Sequence, residues 1–271
     1  VHICNICSNS RHLVYSLLCC AVVMSCLSFV IAVACIVTVV GAANTGRIIG
    51  GNISIAAQFP YQISLRMNNA HICGGSIIAS NYILTAAHCV VQTGQVPYEP
   101  KLFTILAGTT NRLSGGVVHQ VKSIEAHEEY GNFLFDVALL RLSTPLEFSE
   151  TVNSIPLASS EIPDGSSVII SGWGSIRNYG DSPVQLKWNV LSSISTRQCG
   201  RDIGFSSNSL ICLAHSRNNG ACNGDSGGPA TFNDELVGIA GFVTGGCGSK
   251  NPDGYTKVSH HLDWINERSD L

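Results

Sequence analysis

Gly224-Asp225-Ser226-Gly227-Gly228-Pro229 sets one serine among three glycines and a proline. Glycine permits backbone conformations and close approaches that a Cβ blocks. A serine held in such a run can present its hydroxyl to a carbonyl while neighbouring N–H groups point at the same spot. A nucleophile and an oxyanion hole need that arrangement together. An ordinary Gly/Ser/Pro surface loop is the alternative for this stretch alone. Two further segments weigh against it. Thr85-Ala86-Ala87-His88-Cys89 sets a histidine beside a cysteine, and Asp136-Val137-Ala138-Leu139-Leu140 sets a lone carboxylate at the head of an apolar run.

With these segments the chain resembles the trypsin/chymotrypsin family of serine endopeptidases over about residues 48–271. The resemblance rests on the order His88, Asp136, Ser226, on Arg47-Ile48-Ile49-Gly50-Gly51 and on Ser171-Gly172-Trp173-Gly174. It implies an all-β fold of two six-stranded antiparallel β-barrels, at about 48–150 and 157–257, with a C-terminal α-helix at about 258–268. The residues agree. Short alternating runs at 61–65 and 117–124 read as strands between Gly, Asn and Pro turns. Residues 142–156, with Pro145 and Pro156, read as a connection between halves, and 258–268 as a short helix with Ser259 as a possible cap.

The resemblance also assigns roles. Ser226 would attack the scissile carbonyl, His88 would take and return its proton, and Asp136 would orient the imidazole. The N–H groups of Gly224 and Ser226 would bind the oxyanion. Cleavage after Arg47 would free an α-amine at Ile48 to pair with Asp225, making the chain a zymogen activated by a trypsin-like protease. A serine of the family near the triad aspartate is replaced here by Gly241, so one hydrogen bond to Asp136 is expected to be missing.

The pocket departs from trypsin. The residue six before Ser226 is Gly220, where an Asp gives tryptic preference. Asp253 falls on the opposite wall, with Val243 at the entrance and Asn223 at the rim. Gly220 with Asp253 resembles the arthropod collagenolytic, brachyurin-like proteases, which accept basic and apolar side chains. The alternative is an Asp253 facing solvent in a Pro-Asp-Gly turn, with a chymotrypsin-like pocket.

Composition fits. The 271 residues are 45% hydrophobic and 12% charged, and the part after Arg47 has 13 Lys+Arg against 18 Asp+Glu, about −5. Nothing basic, repetitive or of low complexity points to nucleic acid. Six cysteines precede Arg47 and six follow, and six alone allow fifteen pairings. The resemblance implies Cys73–Cys89, Cys199–Cys212 and Cys222–Cys247, hence an oxidising, secretory setting. Zinc is the alternative, but no Cys-x-x-Cys spacing occurs after Arg47. No cofactor is implied, and residues 108–119 lack the carboxylates of a calcium loop.

Residues 13–46 carry no charged side chain. They read as a signal peptide at 24–43 beginning at Met24, after an upstream extension (1–23) and before a propeptide (44–47). An N-terminal membrane anchor is the alternative. Asn52-Ile53-Ser54 is a glycosylation sequon. The expected partners are protein or peptide substrates, an activating protease and protein protease inhibitors, with the chain a monomer, digestive or secreted in saliva or venom. An inactive homologue that binds partners is the contrasting class. A cascade protease is a third reading. The remaining histidines, among them His71, His119, His127, His215, His260 and His261, read as surface or packing residues.

Overall fold

The computed structural model describes residues 49–271. The expected signal peptide and propeptide, with Arg47 and Ile48, lie outside the described residues. A short strand β1 (Asn52–Ile53) carries the exposed sequon asparagine. The first barrel follows: β2 (Gln62–Met67), β3 (Ala70–Ala79), β4 (Tyr82–Thr85), β5 (Phe103–Ala107), β6 (Val117–Ala126) and β7 (Ala138–Leu142). They close in the order β2-β3-β4-β7-β6-β5, all antiparallel.

The second barrel comprises β8 (Ser167–Gly172), β9 (Lys187–Ile194), β10 (Leu210–Ala214), β11 (Pro229–Phe232), β12 (Glu235–Phe242) and β13 (Asp253–Lys257). The β8–β9 pairing closes it, and β1 adds to the outside of β9. Closure removes the open edges that an antiparallel sheet otherwise exposes. The expected pair of six-stranded barrels is therefore present.

Local chemistry explains the turns. Asn68 and Asn69 link β2 to β3 with φ of 49° and 66°, and Asn233 and Asp234 link β11 to β12 with 49° and 60°. Tight hairpins need left-handed residues at both central positions, and Asn and Asp tolerate that region best after glycine. Each barrel has its own core: Ile63, Leu65, Ile83, Phe103, Ile105 and Leu140 in the first, and Val168, Ile170, Leu191, Leu213, Val237 and Tyr255 in the second. The connection anticipated at 142–156 is tied down, because Leu146, Val152 and Ile155 are buried with the first core. Between the barrels the buried Ser171 Oγ donates to Gln62 Oε1 at 2.6 Å.

Among the described residues two α-helices complete the fold. Helix α1 (Thr196–Ile203) was not evident in the sequence. Ser195 Oγ caps it by accepting from the Gln198 N–H at 3.2 Å, and Gly204 ends it with φ of 87°. Helix α2 (Leu262–Arg268) corrects the expected start and cap. The chain first tightens into a 3-10 turn, Val258–His260, that contains Ser259, and no side chain caps α2. Instead the helix is anchored sideways: Trp264 Nε1 donates to Glu128 Oε2 at 2.8 Å and Arg268 Nη2 to Glu128 Oε1 at 3.1 Å. Among the described residues no helix is long and apolar enough to cross a membrane.

Candidate active site

His88 enters the site just after β4, in a 3-10 turn Ala87–Cys89. The turn is fixed from both ends. Cys89 is disulfide-bonded to Cys73 on β3, and Thr85 Oγ1 donates to the Gly74 carbonyl at 2.8 Å. Asp136 lies two residues before β7 and is 2% exposed. It holds His88 twice: Oδ1 accepts the His88 backbone N–H at 2.9 Å, and Oδ2 accepts from Nδ1 at 2.7 Å. A carboxylate only accepts, so Nδ1 carries the proton and Nε2 is left with its lone pair. Phe135, immediately before Asp136, has φ of 53°. An aromatic residue in that region costs about 1–3 kcal/mol, as strained residues beside functional groups often do.

Ser226 is half-buried in a loop whose glycines are required. Gly227 has φ of 75°, and a Cβ there would lie 2.1 Å from Thr85 Oγ1 and 2.7 Å from the Gly74 carbonyl. The Gly74 N–H donates to the Ser226 carbonyl at 2.8 Å. The serine loop is thus laid against the segment leading into His88.

Asp225 is 3% exposed. Its carboxylate accepts from the Gly174 N–H at 2.7 Å and the Cys222 N–H at 3.0 Å. Burial pushes its pKa up to about 7, against those two donors. The Ser171-Gly172-Trp173-Gly174 motif now has a physical meaning. A Cβ at Gly172 or Gly174 would come within 2.1 Å or 2.2 Å of the Asp225 carboxyl group. Gly241 stands where the sequence indicated, and a Cβ built on it would lie 3.7 Å from Asp136 Oδ2.

An open pocket of about 380 Å³ begins at Ser226 and is lined by Ala221, Asn223, Phe242, Val243 and Gly254, among others. Asn223 and Val243 are among its lining residues. Gly220 and Asp253 are not; they are buried directly behind Ala221 and Gly254. Asp253 is 3% exposed, which overturns the solvent-facing alternative. Its Oδ2 accepts the Ala221 N–H at 2.7 Å, and its Oδ1 lies 3.3 Å from His215 Nε2.

Sequence reasoning missed two histidines. His71 pairs its Nδ1 with Ser64 Oγ at 2.8 Å and its Nε2 with the Gly224 carbonyl at 3.2 Å. Burial lowers its pKa to about 4, so it is neutral while it braces Gly224. His215 meets Asp253. Neither partner is close in sequence, so no local pattern announces either contact. Cys199–Cys212 and Cys222–Cys247 are bonded like Cys73–Cys89. The one cluster with metal-like spacing among the described residues, Cys73, His88 and Cys89, contains one of these disulfides and so lacks free thiolates.

The barrels, the buried Asp136–His88 pair and the glycine-bound serine define a serine protease of the chymotrypsin-like architecture. The chain belongs to the Trypsin family, whose pattern matches residues 48–265. It is similar to serine protease SP24D of Anopheles gambiae, 44% identical over 219 residues, covering 81% of this chain and 80% of that protein. Trypsin alpha of Drosophila melanogaster is 37% identical over 227 residues, covering 81% and 86%. Among solved structures, mouse neuropsin, a serine protease expressed in the limbic system of the brain, aligns with a TM-score of 0.74 at 28% identity, covering 81% of this chain and 99% of that one.

Proposed function

We propose that this trypsin-family protease is a secreted endopeptidase, made as a zymogen cleaved after Arg47, with Ser226 as nucleophile. The observation that carries this reading is the double hold of buried Asp136 on His88. It fixes the tautomer that leaves Nε2 free to accept a proton.

The Ser226 hydroxyl oxygen forms a bond to the substrate carbonyl carbon as its proton passes to His88 Nε2. The electron pair pushed onto the carbonyl oxygen is met by the N–H groups of Gly224 and Ser226. Losing one such donor typically costs about 10²–10³ in rate. The imidazolium, stabilised by Asp136, gives the proton to the leaving amine as the C–N bond breaks. Water then repeats the sequence on the acyl-enzyme and frees Ser226.

Activation would bring the Ile48 amine to Asp225, whose raised pKa reports a buried carboxyl in want of a cation. Because Asp225 adjoins Ser226, that pairing would fix the loop bearing the oxyanion donors. The three disulfides among the described residues support an extracellular setting. A preference that is broad or chymotrypsin-like, and not strictly tryptic, is supported by Gly220, which brings no side chain to the pocket. The test is hydrolysis of blocked peptides after cleavage at Arg47. Activity should appear only on cleavage and fall by at least about 10³ in Ser226→Ala and in His88→Ala. Equal activity before and after cleavage would sink the zymogen reading, and an active Ser226→Ala the assignment of the nucleophile.

A further inference from the structure

Gly220 has φ of 100°, and the space beside it is filled from elsewhere in the chain. A Cβ there would lie 2.5 Å from Asp253 Oδ2 and 2.6 Å from His215 Nε2. The position that carries no side chain is therefore occupied by a carboxylate from β13 and an imidazole from the end of β10. The His215 side chain is 1% exposed and that of Asp253 4%. Beyond this ion-pair contact His215 Nε2 has no hydrogen-bond partner.

We infer that His215 is a specificity-determining residue, holding Asp253 in a charge-neutral pair at the closed end of the substrate pocket, so that uncharged P1 side chains are accepted until the pair gives up its proton. The inference rests on the peptidase reading above and refines its pocket. His215 Nδ1 lies 3.0 Å from the Ser216 carbonyl, which only accepts, so Nδ1 bears a hydrogen. Nε2 then meets Asp253 Oδ1, another acceptor, at 3.3 Å. This approach is favourable only with one proton between the two atoms, on the imidazole or on the carboxyl. Either placement gives a pair with no net charge. Removing the proton sets two lone pairs against each other and leaves one negative charge behind Ala221 and Gly254.

Several influences fix where that proton is lost. Burial alone would lower the His215 pKa, but its contact with Asp253 and that group's charge outweigh burial and raise it. Burial raises Asp253, against His215 and the Ala221 N–H. Both directions describe one proton retained by the pair to a pH above the ordinary 6.5 of histidine. The other titratable groups in electrostatic contact with the pair are Asp225, from the serine loop, and Tyr255, from β13. A negative Asp225 further favours keeping the proton. A Lys or Arg side chain entering the pocket would lie over a pair buried behind Ala221 and Gly254 that has no net charge to attract it until the proton leaves. An apolar side chain needs no such charge.

The experiment is the ratio of kcat/KM for blocked peptides with Arg and with Leu at P1, from pH 6 to pH 9, on the Arg47-cleaved enzyme. Both substrates use the same catalytic groups, so any pH dependence of the chemical step cancels in the ratio. The ratio should rise by about tenfold or more across the range, because releasing one proton is worth up to a factor of ten per pH step. In His215→Asn the rise should come at lower pH, because the proton is then held by the burial-raised carboxyl of Asp253 alone. In Asp253→Asn it should be low and flat. A flat ratio in the unsubstituted enzyme overturns the inference, as does a rise at unchanged pH in His215→Asn. If that variant does not fold, the unsubstituted profile decides together with Asp253→Asn: a rise abolished there supports the inference, and a flat profile or a surviving rise overturns it. Failure to turn over either peptide would overturn the peptidase reading itself, and this inference with it.

Discussion

Cleavage after Arg47 is expected to stabilise the fold in a pH-dependent way, through Asp225. Its carboxyl is buried, with the Gly174 and Cys222 N–H groups as its hydrogen-bond partners among the described residues, and its pKa rises from 3.8 to about 7. A carboxyl raised on folding gives its full stability below 3.8 and loses it as pH climbs to about 7, because the unfolded chain releases the proton first. The displacement corresponds to about 4 kcal/mol at neutral pH. An Ile48 ammonium, charged below about pH 8, would offset that cost only in the cleaved form. Cleaved and uncleaved protein should therefore melt at similar temperatures at pH 4 and separate by about 10 °C at pH 7, at the ~2–4 °C per kcal/mol usual for a domain of this size. The assay is calorimetry in a Ser226→Ala background, which prevents self-digestion. Asp225→Asn should abolish the widening. Equal melting at pH 7, or a gap of the same size at pH 4, would refute the coupling of the amine to Asp225.

Other outcomes follow from the same geometry. Gly241→Ser would set a hydroxyl beside Asp136 Oδ2 with its Cβ 3.2 Å from the Gly254 carbonyl; kcat/KM should change by less than about tenfold, because Asp136 already accepts from the His88 backbone N–H and Nδ1. Gly174→Ala would drive a methyl into the Asp225 carboxylate and should cost about 1–3 kcal/mol, read as a lowered midpoint in urea. His261 is 2% exposed and burial, then the nearby His127 and His260, lower its pKa to about 3. Its contribution to stability is complete above 6.5 and is lost as pH falls toward 3, so His261→Phe should flatten the decline of melting temperature between pH 6.5 and 4.

Much of the site is legible in the sequence because its chemistry forces particular residues into short runs. Gly227 has no room for a Cβ, and Gly172 and Gly174 give up theirs to Asp225. Those constraints produce the Ser226 loop and the Ser171–Gly174 motif, and the barrels follow from the family these identify. What escaped depends on long-range contacts or on weak local signals. Helix α1 has one buried residue, Cys199, so it shows no apolar stripe. His71 meets Gly224 across 153 residues, and Asp253 is turned inward by His215 and the Ala221 N–H. The misplaced α2 cap has the same origin: the helix is held by Glu128, far off in sequence, and Ser259 is left in the preceding turn.

The central claim is that Ser226 is a nucleophile activated by His88. The most direct measurement is reaction of the Arg47-cleaved protein with a serine-directed phosphonate, followed by peptide mass mapping. The account expects one adduct, on Ser226, absent before cleavage and absent in His88→Ala. Proteolysis that persists with Ser226 unmodified, or an adduct on another residue, would contradict it.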